Sequence, residues 1–113
     1  MELLIMVVNK EEYFEKILSI LVELEITGAT ILDSEGLGHF LAYEVPIFAG
    51  LQQWVGGEKS PSRTILAVLE NKDFFPKLKN LLAEEQIDFT QPKTGILITV
   101  PVNEAIKSSE EKV

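Results

Sequence analysis

The chain has no cysteine, one histidine, one tryptophan and one arginine among its 113 residues. Without cysteine there is no disulfide and no thiolate metal site. A single imidazole, His39, excludes any metal site that needs two within one chain. Positive charge is also scarce. Ten basic residues stand against 18 acidic ones, a formal net charge of −8. Phosphate contacts need clustered Lys and Arg, so a non-specific nucleic-acid binder is excluded. An anionic membrane surface is excluded as the main partner for the same reason. No apolar run approaches the length of a membrane span, so no membrane insertion is expected.

Catalytic sets are missing too. Glu23 with Glu25, and Glu84 with Glu85, are close in sequence but point to different faces of their helix ends. With no nucleophile–base pair, metal cluster or phosphate loop, an enzyme is not expected.

What remains is an ordinary globular composition, 46% hydrophobic and 25% charged, suited to one domain that buries about 65% of its unfolded surface. Leu3–Val8 is a continuous apolar run without a basic start or cleavage site. It reads as a doubly covered strand, not a signal peptide. A cytoplasmic location is the default expectation. Asn9 supplies an N-cap and Glu12 completes a capping box. Tyr13, Ile17, Ile20, Leu21 and Leu24 then form the stripe of an amphipathic helix, with Gly28 as its terminator.

Ala29–Asp33 reads as a second strand, continued by His39–Val45 beyond a Gly36-Leu37-Gly38 interruption of the kind that marks a bulge or a close backbone approach. Arg63–Glu70 is a third strand. A second helix starts near Asp73 with Pro76 in its first turn, and Gly95–Val100 is a fourth strand closed by Pro101. The fold class is therefore α+β, a ferredoxin-like β-α-β-β-α-β domain over residues 1–107, with a disordered polar tail at 108–113. Two helices cover only one face of the antiparallel sheet, yet strands one, three and four are apolar on both. The bare face predicts an oligomer with the sheets turned inward.

Between Tyr43 and Ser62, Pro46 opens a segment in which Ile47, Phe48, Leu51, Trp54 and Val55 recur at helical spacing, until Gly56-Gly57 stops it. It reads as an apolar partner-binding element with Phe48, Leu51 and Trp54 as anchors, or as a short helix packed on its own subunit or a neighbour.

Thr27-Gly28-Ala29-Thr30 followed by Gly36-Leu37-Gly38 resembles the Thr-Gly-x-Thr and Gly-Phe-Gly signature of the nitrogen regulatory P-II proteins, at the same spacing and the same place after the first helix. Element order and chain length fit as well. The resemblance implies a homotrimer, an adenine-nucleotide site in each intersubunit cleft, and a loop after the second strand that touches a target enzyme or membrane transporter. ATP, ADP or AMP would be a regulatory ligand, with no catalytic cofactor. Glycine amides unobstructed by a Cβ can approach phosphate oxygens.

The departures are specific. His39 and Phe40 stand where the family has Arg and the Gln that helps bind 2-oxoglutarate with magnesium, so that ligand is not expected. Gln86–Thr94 replaces the glycine-rich loop before the last strand. Gly95 matches that loop's last glycine, but Ile96 replaces the lysine that follows. The two arginines after the last strand fall on Lys107 and Ser109, and residues 44–62 have no tyrosine to modify. The expected ligand contacts are Thr30, Gly36, Leu37, Gly38, His39, Arg63, Lys93, Gly95 and Lys107, with Lys59 a further candidate cation. The alternative is a trimer resembling CutA, with a role in metal tolerance or a structural one.

Overall fold

The computed structural model describes residues 1–57 and 61–108. The expected cation Lys59 lies outside them, as do Ser109 and the rest of the tail from there on. Four strands form one antiparallel sheet: β1 (Glu2–Val8), β2 (Thr30–Asp33), β3 (Arg63–Leu69) and β4 (Gly95–Pro101). Their order across the sheet is β2-β3-β1-β4, and each neighbouring pair is antiparallel. With α1 (Glu11–Glu23) joining β1 to β2 and α4 (Phe74–Glu84) joining β3 to β4, this is a ferredoxin-like arrangement.

The alternation within each strand decides what the two faces carry. Leu4, Met6 and Val8 of β1 and Ile65, Ala67 and Leu69 of β3 are buried, because they point toward the helices. Ile17, Ile20 and Leu21 of α1 and Leu78 and Leu82 of α4 close that side. Leu4, Met6, Ile17, Ile65 and Leu78 are wholly inaccessible, so this is the true core. Directly paired residues share a face. The register therefore groups Leu3, Ile5 and Val7 with Leu66 and Val68, and with Ile96, Ile98 and Val100, on the opposite face. Thr30, Leu32 and Thr64 extend that face to the β2 edge. It carries no charged residue, and among the described residues no helix covers it: Ile96, Ile98 and Val100 are exposed.

Two details of the helices differ from the sequence reading. Asn9 does not cap α1. Its N–H continues the sheet by donating to the Thr94 carbonyl at 2.8 Å, and the helix begins at Glu11 after Lys10, with no side-chain cap. Gly28 does not end α1 either. Glu25 does, in a left-handed conformation (φ 61°). The Ile26 N–H reaches the Leu21 carbonyl and the Glu25 N–H reaches that of Val22, a Schellman closure whose C″ residue, Ile26, is buried. The second half repeats it. Gln86 (φ 59°) ends α4, Ile87 N–H bonds to Leu82 and Gln86 N–H to Ala83, and Ile87 is buried.

The larger correction concerns residues 37–55. The expected strand His39–Val45 is instead a helix, α2 (Leu37–Glu44), followed by a 3-10 turn (Pro46–Leu51) and the short α3 (Gln52–Val55). A short stretch with five apolar residues out of seven is compatible with either state. Here the strand partner is missing: β3 pairs with β1 on one side and with only four residues of β2 on the other. The helical reading of Ile47–Val55 and its stop at Gly56 agree with the structure.

Candidate functional site

The insertion is pinched off at its base. Ser34 N–H donates to the Ser62 carbonyl at 3.1 Å. The two hydroxyls lie 2.8 Å apart, and the Thr64 hydroxyl donates to Ser34 Oγ at 2.9 Å. Above this neck the chain folds on itself. Ala42 is buried, Gln52 Nε2 donates to its carbonyl at 2.9 Å, and the Tyr43 hydroxyl donates to the Gly56 carbonyl at 2.6 Å. α2, the 3-10 turn and α3 contact one another, and none of them makes more than marginal contact with a strand.

Where the insertion meets the sheet there is a pocket of about 280 Å³. Asn9, Pro61 and Lys93 form its sheet-end wall, at the end where β1 stops and β3 and β4 begin. Gly36, Gly38 and His39 from the start of α2, with Trp54 and Val55 of α3, form the other wall. Gly36 precedes α2 with extended backbone, and the first amides of that helix end have no capping side chain. The two glycines differ in what requires them. A Cβ on Gly38 would sit 3.2 Å from Val55 Cγ1, whereas one on Gly36 would meet nothing within 4 Å. Gly38 lets α2 approach α3. The His39 ring stacks on Tyr43 at 6.3 Å between centroids.

Lys93 is placed by a turn built on Asp88. Its carboxylate accepts from the Thr90 N–H at 2.9 Å and from the Thr90 hydroxyl at 2.6 Å, with Gln91 Nε2 at 3.3 Å. The Thr90 hydroxyl, then the Thr90 amide and Gln91, hold the exposed Asp88 below its usual carboxylate range. Lys93 itself is left-handed (φ 62°), and its ammonium lies 3.4 Å from the Trp54 carbonyl oxygen. Thr94 follows, fully buried, and then Gly95 at φ 134°.

Of the residues expected from the sequence, Gly36, Gly38, His39 and Lys93 therefore line one pocket. The others do not. Leu37 is 72% exposed on α2. Thr30 lies on the open sheet face opposite Leu66. Arg63 is engaged on the helix side, over the Phe14 ring at 4.9 Å and paired with Glu11 at 3.6 Å and Asp33 at 3.4 Å. The requirement at Gly95 is local, since a Cβ there would lie 1.8 Å from the Val7 carbonyl oxygen.

Lys107 is at the far end of the sheet, paired with Glu70. There a second cavity of about 460 Å³ is lined by Thr27 and Gly28 with Glu70, Asn71, Phe74 and Lys107. The two halves of the Thr-Gly…Gly-Leu-Gly pattern thus lie at opposite ends of β2. Sequence reasoning missed Asn9, Pro61 and the pocket role of Trp54. Only the helical stripe that placed Trp54 and Val55 together offered a signal.

Phe48, Leu51 and Trp54 do not pack into a core. Phe48 and Trp54 are exposed, Trp54 at 67%, as is Ile47 at 85%. Among the described residues no three His, Asp or Glu side chains are grouped as a metal site, and no helix is long and apolar enough to cross a membrane. No protein-family model matches the sequence, and no curated protein does.

Proposed function

We propose that this chain is a P-II-like regulatory protein, not an enzyme, that takes a small anion in the pocket beneath its insertion and signals occupancy through that insertion to a partner protein. The observation that carries this reading is the division of the pocket walls. Asn9 and Lys93 are fixed by the sheet, while Gly36, Gly38, His39 and Trp54 belong to the insertion. An occupant touches both and so biases how the insertion sits, which is the differential contact a switch requires.

The chemistry favours an anion. Lys93 supplies a cation beside the open N-terminal end of α2, and helix N-termini and ammonium groups both stabilise negative charge. The volume of about 280 Å³ lies just under the ~300–1,000 Å³ of drug-sized ligand sites. One chain therefore suits phosphate, or the phosphate end of an adenine nucleotide. The rest of a nucleotide would lie against a neighbouring subunit.

A homotrimer is part of the proposal. The uncharged open face of the sheet supports self-association, and the number three comes from the resemblance. In such an assembly the far-end cavity of Thr27 and Gly28 becomes available to complete a site that one chain divides.

Thermal-shift titration of the full chain with inorganic phosphate, AMP, ADP and ATP tests the reading. A ligand at 100 times its dissociation constant adds about 2.7 kcal/mol of stability. At least one of the four should raise the melting temperature in the wild type, with a smaller shift in Lys93→Gln. An unmoved melting temperature with all four would remove the ligand-sensing reading.

A further inference from the structure

The last helix of the insertion is finished by side chains. At the ends of α1 and α4 the chain closes its own carbonyls with backbone bonds. α3 is only four residues long, and two carbonyls at its end accept from side chains instead. One donor is Tyr43, within the insertion, whose hydroxyl reaches the Gly56 oxygen. The other is Lys93, 39 residues further along the chain, whose ammonium lies 3.4 Å from the Trp54 oxygen. A lysine placed there satisfies a helix-end carbonyl that the helix itself leaves open.

The two donors differ in reach. Tyr43 ties the insertion to itself, whereas Lys93 ties it to the sheet end. No helix of the insertion makes more than marginal contact with a strand. Among the described residues, the pose of α3 therefore rests on the Ser34–Ser62 neck and on the Lys93 bond. Lys93 is aimed by the turn built on Asp88, and it holds left-handed backbone that a residue with a Cβ adopts only at a cost.

The same ammonium lines the pocket, so an anion there competes with the carbonyl for it. Charge-assisted bonds are roughly twice as strong as neutral ones, and an anion about 2.8 Å from the ammonium takes the better-aligned donors. The Trp54 oxygen would then stand within about 6 Å of that anion, two acceptors repelling each other. The anion wins.

Resting on the proposal that the pocket takes an anion, we infer that Lys93 is a latch: empty, the pocket leaves its ammonium on the end of α3, and an anion draws it away and frees that end. Occupancy loosens the insertion instead of tightening it. The pocket-bound state gains its preference because only the released ammonium serves the anion fully, which is the differential contact a ligand needs to shift an equilibrium.

Time-resolved fluorescence anisotropy of Trp54, the single tryptophan, tests this on the full chain, because it reads local motion at the latched residue. Without ligand, Lys93→Met should enlarge the fast local component relative to the wild type, and Lys93→Arg, which keeps a donor, should not. Saturating phosphate or ATP should bring the wild type to the level of Lys93→Met and leave Lys93→Met unchanged. A Lys93→Met protein as restrained as the wild type overturns the latch, even where thermal shift shows that an anion binds. A fast component that shrinks when the wild type binds its anion overturns release in favour of closure. Absence of binding by phosphate and ATP removes the anion reading and overturns release with it, while a loosened Lys93→Met would still show that Lys93 holds α3.

Discussion

The Tyr43 hydroxyl donates to the carbonyl oxygen of Gly56 at 2.6 Å, tying the first helix of the insertion to the glycine that ends its last. With the Gln52–Ala42 bond, it makes the insertion a folded unit on a pinched neck. Such a bond contributes about 0.5–1.5 kcal/mol, and little of it reaches the sheet. Tyr43→Phe should therefore lower hydrogen-exchange protection within residues 37–57 while leaving that of β1 and β3 unchanged. Equal loss in both regions would show that the insertion and sheet unfold together.

Gly95 is required by geometry. Its φ of 134° and the 1.8 Å approach of an added Cβ to the Val7 carbonyl leave no room for alanine next to a central strand. Gly95→Ala should cost about 3 kcal/mol or more in urea unfolding. The preceding Thr94 carries the reverse prediction. Its hydroxyl is buried without a partner among the described residues. Removing an unsatisfied group of this kind recovers about 1 kcal/mol, so Thr94→Val should raise stability by that amount.

Gln86 ends α4 with φ 59°, a conformation that costs a residue with a Cβ roughly 1 kcal/mol relative to glycine. Gln86→Gly should stabilise the protein by about 0.5–1 kcal/mol, read as a rise in the urea midpoint at constant slope. An unchanged or lowered midpoint would mean that the flexibility glycine adds to the unfolded chain outweighs the relief.

Asp88 sets a pH dependence. Its hydrogen bonds to Thr90 and Gln91 favour the carboxylate, so its folded pKa lies below the unfolded one. The stabilisation is full above the unfolded value and is lost as pH falls through the folded value. Between about pH 5 and about pH 3, Asp88→Asn should therefore lose less melting temperature than the wild type. Parallel curves would show that the turn contributes nothing.

Legibility in the sequence followed the reach of each signal. Runs such as Leu3–Val8 and stripes such as Ile17, Ile20 and Leu21 report burial directly, so the β-α-β-β-α-β frame could be read from them. Ile47–Val55 was readable as helical because Pro46 and Gly56-Gly57 bracket a stripe. His39–Val45 was not, because a short, mostly apolar stretch takes whichever state its neighbours supply, and among the described residues no strand was beside it. The caps failed for a different reason. Glu25 and Gln86 adopt left-handed backbone that glycine usually marks, held there by the buried Ile26 and Ile87. Gly36, Gly38, His39 and Lys93, named from the sequence as expected ligand contacts, share the lining of one pocket. Asn9 and Pro61 join them only through tertiary approach, which no local pattern carries.

Trp54 is the chain's single tryptophan and lines the pocket that Lys93 and His39 share, so its fluorescence reports occupancy without ambiguity. The most direct measurement is a titration of that emission with inorganic phosphate, AMP, ADP and ATP, in the wild type and in Lys93→Gln. The account predicts a saturable change with at least one of them, weakened at least tenfold by loss of the Lys93 charge. Emission that stays flat with all four, or saturates identically in both proteins, would contradict it.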